Sequence, residues 1–130
     1  MQSTSLNRRW KLKLDPENKG LSENWQCDYQ ALIAGAMDID IPSCWEELVQ
    51  DYEGVAWYAL RTIIAASEAG QICRLCFQAA NYRTEVWVNG HLVGNHEGGY
   101  TPFNFEVQDY LNYDAENIFI IRNQTVINKY

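Results

Sequence analysis

The side chains best suited to chemistry are acidic and lie close together. Glu46, Glu47, Asp51 and Glu53 place four carboxylates in one short stretch. A carboxyl pair does acid/base work only where an apolar pocket raises the pKa of one member. No neighbouring residues supply such a pocket, so a solvated acidic loop is expected. Cys73-x-x-Cys76 has the spacing of a zinc or redox motif. It falls within 72–77, which reads as a strand, and strand residues three apart point to opposite faces. No second cysteine pair and no adjacent His completes four ligands. Reduced, free thiols are therefore expected at Cys27, Cys44, Cys73 and Cys76. His91 and His96 lack carboxylate or Cys partners at metal-ligand spacing, so no metal site is predicted. Residues 96–102 are glycine-rich but lack the Lys and the strand-to-helix setting of a phosphate-binding loop. No Ser, Cys or His can be placed against a base. No catalytic residue and no cofactor are predicted for this chain.

Composition narrows the class. The chain has 130 residues, 47% of them hydrophobic and 13% aromatic, which fits one folded domain over 1–130. Ten basic against seventeen acidic residues give a formal charge of −7. Nucleic-acid binding needs clustered Lys and Arg, and the densest basic patch is only Arg8, Arg9, Lys11 and Lys13. No apolar run reaches the length of a membrane span. Residues 1–6 lack the apolar core of a signal peptide. A cytoplasmic protein with no nucleic-acid or membrane partner is expected.

The elements follow from periodicity. Trp10, Leu12 and Leu14 alternate with Lys11 and Lys13, as in a half-buried strand. Residues 15–20 end it as a loop. Trp25 is expected to pack onto the sheets, and 29–37 fits either a short helix or a weak strand. Residues 38–41 alternate and stop at Pro42. Ser43 ahead of Glu46 can cap one helical turn. Residues 55–64 read as a core strand, 67–70 as a turn and 71–80 as the next strand, with Leu75, Phe77 and Ala79 on one face. Residues 84–88 meet Asn89-Gly90, a strong hairpin signal, because both central residues of a type I′ turn need positive φ. The return strand is 91–94. Phe103, Phe105 and Val107 face inward on another strand, and 117–122 is the last clear one. Strands joined by turns, with no long amphipathic helix, predict an all-β antiparallel sandwich or barrel.

Taken in order, these segments resemble the N-terminal domain of the β-galactosidase/β-glucuronidase family of glycoside hydrolases. The matching pieces are Leu6-Asn-Arg-Arg-Trp-Lys-Leu-Lys-Leu-Asp15, Ile41-Pro-Ser-Cys-Trp45, Tyr52-Glu-Gly-Val-Ala-Trp-Tyr58 and Phe77-Gln-Ala-Ala-Asn-Tyr82. Val86-Trp-Val-Asn-Gly90, Val93-Gly94, His96-Glu-Gly-Gly-Tyr-Thr-Pro-Phe103 and Asn117-Ile118 complete them. The segment 98–103 leans toward β-glucuronidases. The resemblance implies a galactose-binding-like jelly-roll sandwich ahead of an immunoglobulin-like domain and a catalytic barrel. The barrel would carry the two glutamates of a retaining hydrolase, whose carboxyls stand about 5–5.5 Å apart. The resemblance further implies that the 45–52 loop projects toward the active-site mouth. Trp45, Asp51 and Tyr52 are then candidates for the carbohydrate rim, the aromatics stacking on sugar rings and the Asp accepting from hydroxyls. The alternative for Trp45 and Tyr52 is that they anchor the core.

Two departures from the family pattern stand out. The chain is too short to hold a barrel, and nothing after Asn123 matches the family's closing strand. A sandwich lacking its last strand is expected, with an exposed edge able to self-associate. Three roles follow: a non-catalytic hydrolase domain, a stand-alone carbohydrate-binding module, or a protein-interaction sandwich.

Overall fold

Six consecutive residues, 55–60, are buried side by side, so both faces of their strand are covered. A strand in that position reads as a continuous apolar run rather than an alternating one. The computed structural model describes residues 9–40, 54–65, 70, 74–77, 83–97 and 103–125. Their elements are β1 (Arg9–Asp15), α1 (Tyr29–Ile33), β2 (Met37–Asp40), β3 (Gly54–Ile64), β4 (Arg74–Phe77), β5 (Arg83–Val88), β6 (His91–Glu97), β7 (Phe103–Glu106), a 3₁₀ turn (Gln108–Tyr110) and β8 (Ala115–Thr125). Six strands form one sheet in the order β2-β1-β3-β8-β5-β6, and β4 pairs with β7 in a second. Each pair is antiparallel. This is the antiparallel sandwich that the alternation predicts.

Two apolar clusters lie on opposite faces of the large sheet. One gathers Trp10, Leu12, Tyr58, Leu60, Val86, Val88, Phe119 and Ile121 with Leu75 of β4 and Val107. Phe105 of β7 packs against it, so this cluster fills the space between the sheets. The other gathers Val55, Trp57, Ala59, Trp87 and Ile120 beneath Trp25 and Leu32. Trp25 and Leu32 belong to the segment joining β1 to β2, which folds back over the outer face. Trp57 stacks on Trp87 with ring centres 5.6 Å apart and meets the edge of Trp25 at 5.8 Å. Lys13 sits 4.1 Å above the Trp25 ring, and Arg61 lies 5.3 Å from that of Tyr29.

The open choice at 29–37 resolves both ways. Asp28 accepts from the Ala31 amide at 3.1 Å and caps α1, while Met37 begins β2. Asn89 and Gly90 have φ of 51° and 83°, the turn expected of them. The return strand runs on past Gly94 to Glu97, and the last strand extends over Ala115–Thr125. Among the described residues no helix is long and apolar enough to cross a membrane.

Candidate functional site

Trp45, Asp51 and Tyr52 lie outside the described residues, as do Glu46, Glu47 and Glu53. What is described is the sheet end at which β3 begins. β3 starts there at Gly54, opposite Thr125 of β8. β5 starts at the same end, with Arg83 opposite both Gln124 of β8 and Glu97 of β6.

This end is built from buried polar groups. Asp15, at the close of β1, is 1% exposed. Its carboxylate accepts from the Lys19 and Gly20 amides at 2.8 Å each and from the Trp57 indole N–H at 3.0 Å. That knot draws the turn after β1 down onto Trp57. Gly20 packs there so closely that a Cβ would come within 2.6 Å of Trp25 and 2.7 Å of Trp57. Asn18, with φ of 53°, accepts from Arg122 Nη2 at 2.7 Å. Arg122 Nη1 donates to Glu85, and its side chain is 7% exposed. Glu85 stands 3.6 Å from Arg83 Nε, and Arg83 Nη1 donates to Glu97 at 2.7 Å. Beside this chain Asn123 donates to Thr84 at 3.2 Å, both residues buried. Arg122, Glu85, Arg83 and Glu97 each meet an opposite charge, so these four form a structural ion network, while Asp15 is held by neutral donors.

At the opposite end of β5 the Asn89-Gly90 turn does more than reverse the chain. Asn89 Nδ2 donates to the Tyr110 carbonyl at 2.7 Å and to Asn117 Oδ1 at 3.0 Å. Asn89 Oδ1 accepts from the Ile118 amide at 3.0 Å. Asn117 also accepts from the Asn112 amide and donates to the Asn112 and Ala115 carbonyls. A partly open depression of about 260 Å³ lies at this turn, lined by Gln26, Cys27, Tyr29, Asn89, Gly90, Ile118 and Ile120. Asn89 has committed its carboxamide internally, so the polar groups left to a ligand are few, and none is charged. A carboxylate there would meet no cationic side chain among the lining residues.

Among the described residues the tryptophans do not form an exposed platform for stacking on sugar. Trp10, Trp25, Trp57 and Trp87 are each at most 6% exposed. The exposed large apolar side chains among the described residues are Leu21, Met37, Ile63 and Leu92. The four described tryptophans therefore belong to the core. Cys27 is exposed and free, its thiol 3.6 Å from the Asn24 carbonyl. Cys44 and Cys73 lie outside the described residues, and Cys76 sits on β4 opposite Asn104. Among the described residues no three His, Cys, Asp or Glu gather to hold a metal. The Glu85–Arg122 and Asn89–Asn117 networks were missed in the sequence. The signal available was polar residues, Asn117, Arg122 and Asn123, interrupting an otherwise apolar strand.

Residues 46–126 match the family described as "Glycosyl hydrolases family 2, sugar binding domain". A β-glucuronidase of Paenibacillus borealis is 29% identical over 107 residues, covering 78% of this chain and 17% of that protein. A β-galactosidase of Thermoanaerobacter pseudethanolicus is 34% identical over 74 residues, covering 56% of this chain and 10% of its own length. The β-glucuronidase of Ruminococcus gnavus, solved in complex with uronic deoxynojirimycin, superimposes with a TM-score of 0.86 at 23% identity. That superposition covers 96% of this chain and 22% of the other. The chain spans about a sixth of the length of the first curated relative it matches.

Proposed function

The chain belongs to the family 2 glycosyl hydrolase sugar binding domains, and on that premise we propose that it is the non-catalytic N-terminal domain of a retaining glycoside hydrolase. The parent enzyme is of β-glucuronidase or β-galactosidase type and cleaves O-glycosyl bonds with glutamates carried elsewhere, in a barrel. Residues 1–130 form one sandwich domain of it, docked on the barrel and the immunoglobulin-like domain. Self-association through an unpaired strand edge belongs to the same reading, and sedimentation over a concentration series reads it. The domain narrows the substrate cleft and so fixes substrate position, which assists catalysis without contributing chemistry. Trp45, Asp51 and Tyr52 are the rim contacts.

The supporting observation is coverage: 78% of the chain aligns with only 17% of a β-glucuronidase. A stand-alone carbohydrate-binding module is disfavoured by the burial of Trp10, Trp25, Trp57 and Trp87. The test is made on the native protein. Tryptic peptides of this chain should be found in a product several times longer than 130 residues that co-purifies with β-glucuronidase or β-galactosidase activity. NMR of the reaction should show the β-anomer released first. Finding the peptides only in a 130-residue product without hydrolase activity would sink the proposal. Tyr52→Ala in the active protein should raise KM and leave kcat nearly unchanged.

A further inference from the structure

The hairpin of β5 and β6 carries a register change. Val88 faces His91 and Trp87 faces Leu92, as the two-residue turn dictates, but Val86 faces Gly94. Val93 is the extra residue of a bulge. From there Glu85 faces Asn95, Thr84 faces His96 and Arg83 faces Glu97. Had the register of the turn run on, Arg83 would face His96 and Glu97 would point to the other side of the sheet, since a one-residue slip exchanges the faces. The turn therefore does not fix how β6 leaves the sheet.

We propose that the ion network of Arg122, Glu85, Arg83 and Glu97 selects the register of β6 beyond its bulge. Arg122 and Glu85 are direct cross-strand partners on β8 and β5, and Arg83 and Glu97 are direct partners on β5 and β6. Only the bulged register puts Glu97 on the face of Arg83, where their ion pair closes at 2.7 Å. β8 is the anchor, because β3 and β5 hold it on both sides. Arg122 is fixed in turn by Asn18 of the covering segment. On the inner face Gly94 supports the same register, since a Cβ there would meet Phe105 of β7 at 2.9 Å. The Arg122–Glu85 pair is buried, and holding a register is the best-attested use of such a pair; the Arg83–Glu97 pair is exposed and adds little to stability.

The test is NMR of the 130-residue chain. Glu97→Arg and Arg122→Met should each abolish the cross-strand NOEs between 83–86 and 94–97 while those between Trp87 and Leu92 persist. Amide exchange at 94–97 should quicken by more than the roughly fivefold that loss of a surface pair produces. Arg83→Glu with Glu97→Arg should restore the NOEs in part, since the 83–97 pair is re-formed while a carboxylate at 83 stands beside Glu85. Wild-type NOEs in either single variant overturn the proposal. Should Arg122→Met unfold, Glu97→Arg at its exposed site still decides.

Discussion

Replacing Asp15 by Asn alters no more than one oxygen, and it should cost a large part of the stability of this domain. Oδ1 accepts from the Lys19 amide, and Oδ2 accepts from the Gly20 amide and the Trp57 indole. An Asn side chain must turn its NH₂ toward one of these donor sets. If it faces Lys19, one hydrogen bond is lost and two N–H groups confront each other. If it faces Gly20 and Trp57, two are lost. A hydrogen bond to a charged group contributes about 1.5–3 kcal/mol, and a buried donor left unpaired costs about 1–3 kcal/mol. The better orientation therefore loses about 3 kcal/mol. At about 4 °C per kcal/mol for a domain of this size, the melting temperature should fall by roughly 12 °C. Trp57→Phe removes the indole donor and keeps most of the ring, and should cost about 1–2 kcal/mol. The double variant should cost less than the two singles summed, because the Asn NH₂ then faces a site with one donor fewer. Urea denaturation followed by far-ultraviolet circular dichroism gives all three values. Strict additivity, or an Asp15→Asn loss under about 1 kcal/mol, would refute the account of this knot.

Asn117→Ala removes the partner of Asn89, Asn112 and Ala115 together, so about 3 kcal/mol of destabilisation is expected, read from the same urea curves. Gly20→Ala should destabilise by about 1–3 kcal/mol, since the added methyl meets two indole rings and cannot be accommodated without repacking. Differential scanning calorimetry tests this directly. Leu92→Ser, on a residue 53% exposed, should leave the melting temperature within about 2 °C of wild type.

Much of this fold is legible from alternation and turn chemistry. Trp10, Leu12 and Leu14 announce β1, and Asn89-Gly90 announces the hairpin. The family resemblance rests on segments that are themselves structural: strand cores, turns and the polar pair Asn89 and Asn117. Less legible were the features that depend on distant partners. β8 reads as ending at Arg122 because Asn123, Gln124 and Thr125 are polar, yet Asn123 is buried against Thr84. The bulge at Val93 had one available mark, Gly94, because a glycine inside a strand often accompanies a bulge. The covering role of 16–36 was visible only through Trp25, because a segment with little periodicity does not disclose which face it will lie on. The rim candidates Trp45, Asp51 and Tyr52 came from resemblance, not from periodicity.

The place of β8 in the sheet bears on how the chain is born. It is the last of the described strands to be synthesised, and it sits between β3 and β5. β3 leaves the ribosome about fifty residues before β8 does, and its central partner does not yet exist. At about 5–20 residues per second, that strand waits several seconds with one hydrogen-bonding side unmatched. During that interval β3 presents an unpaired edge, the feature that makes partly synthesised β-proteins prone to aggregate.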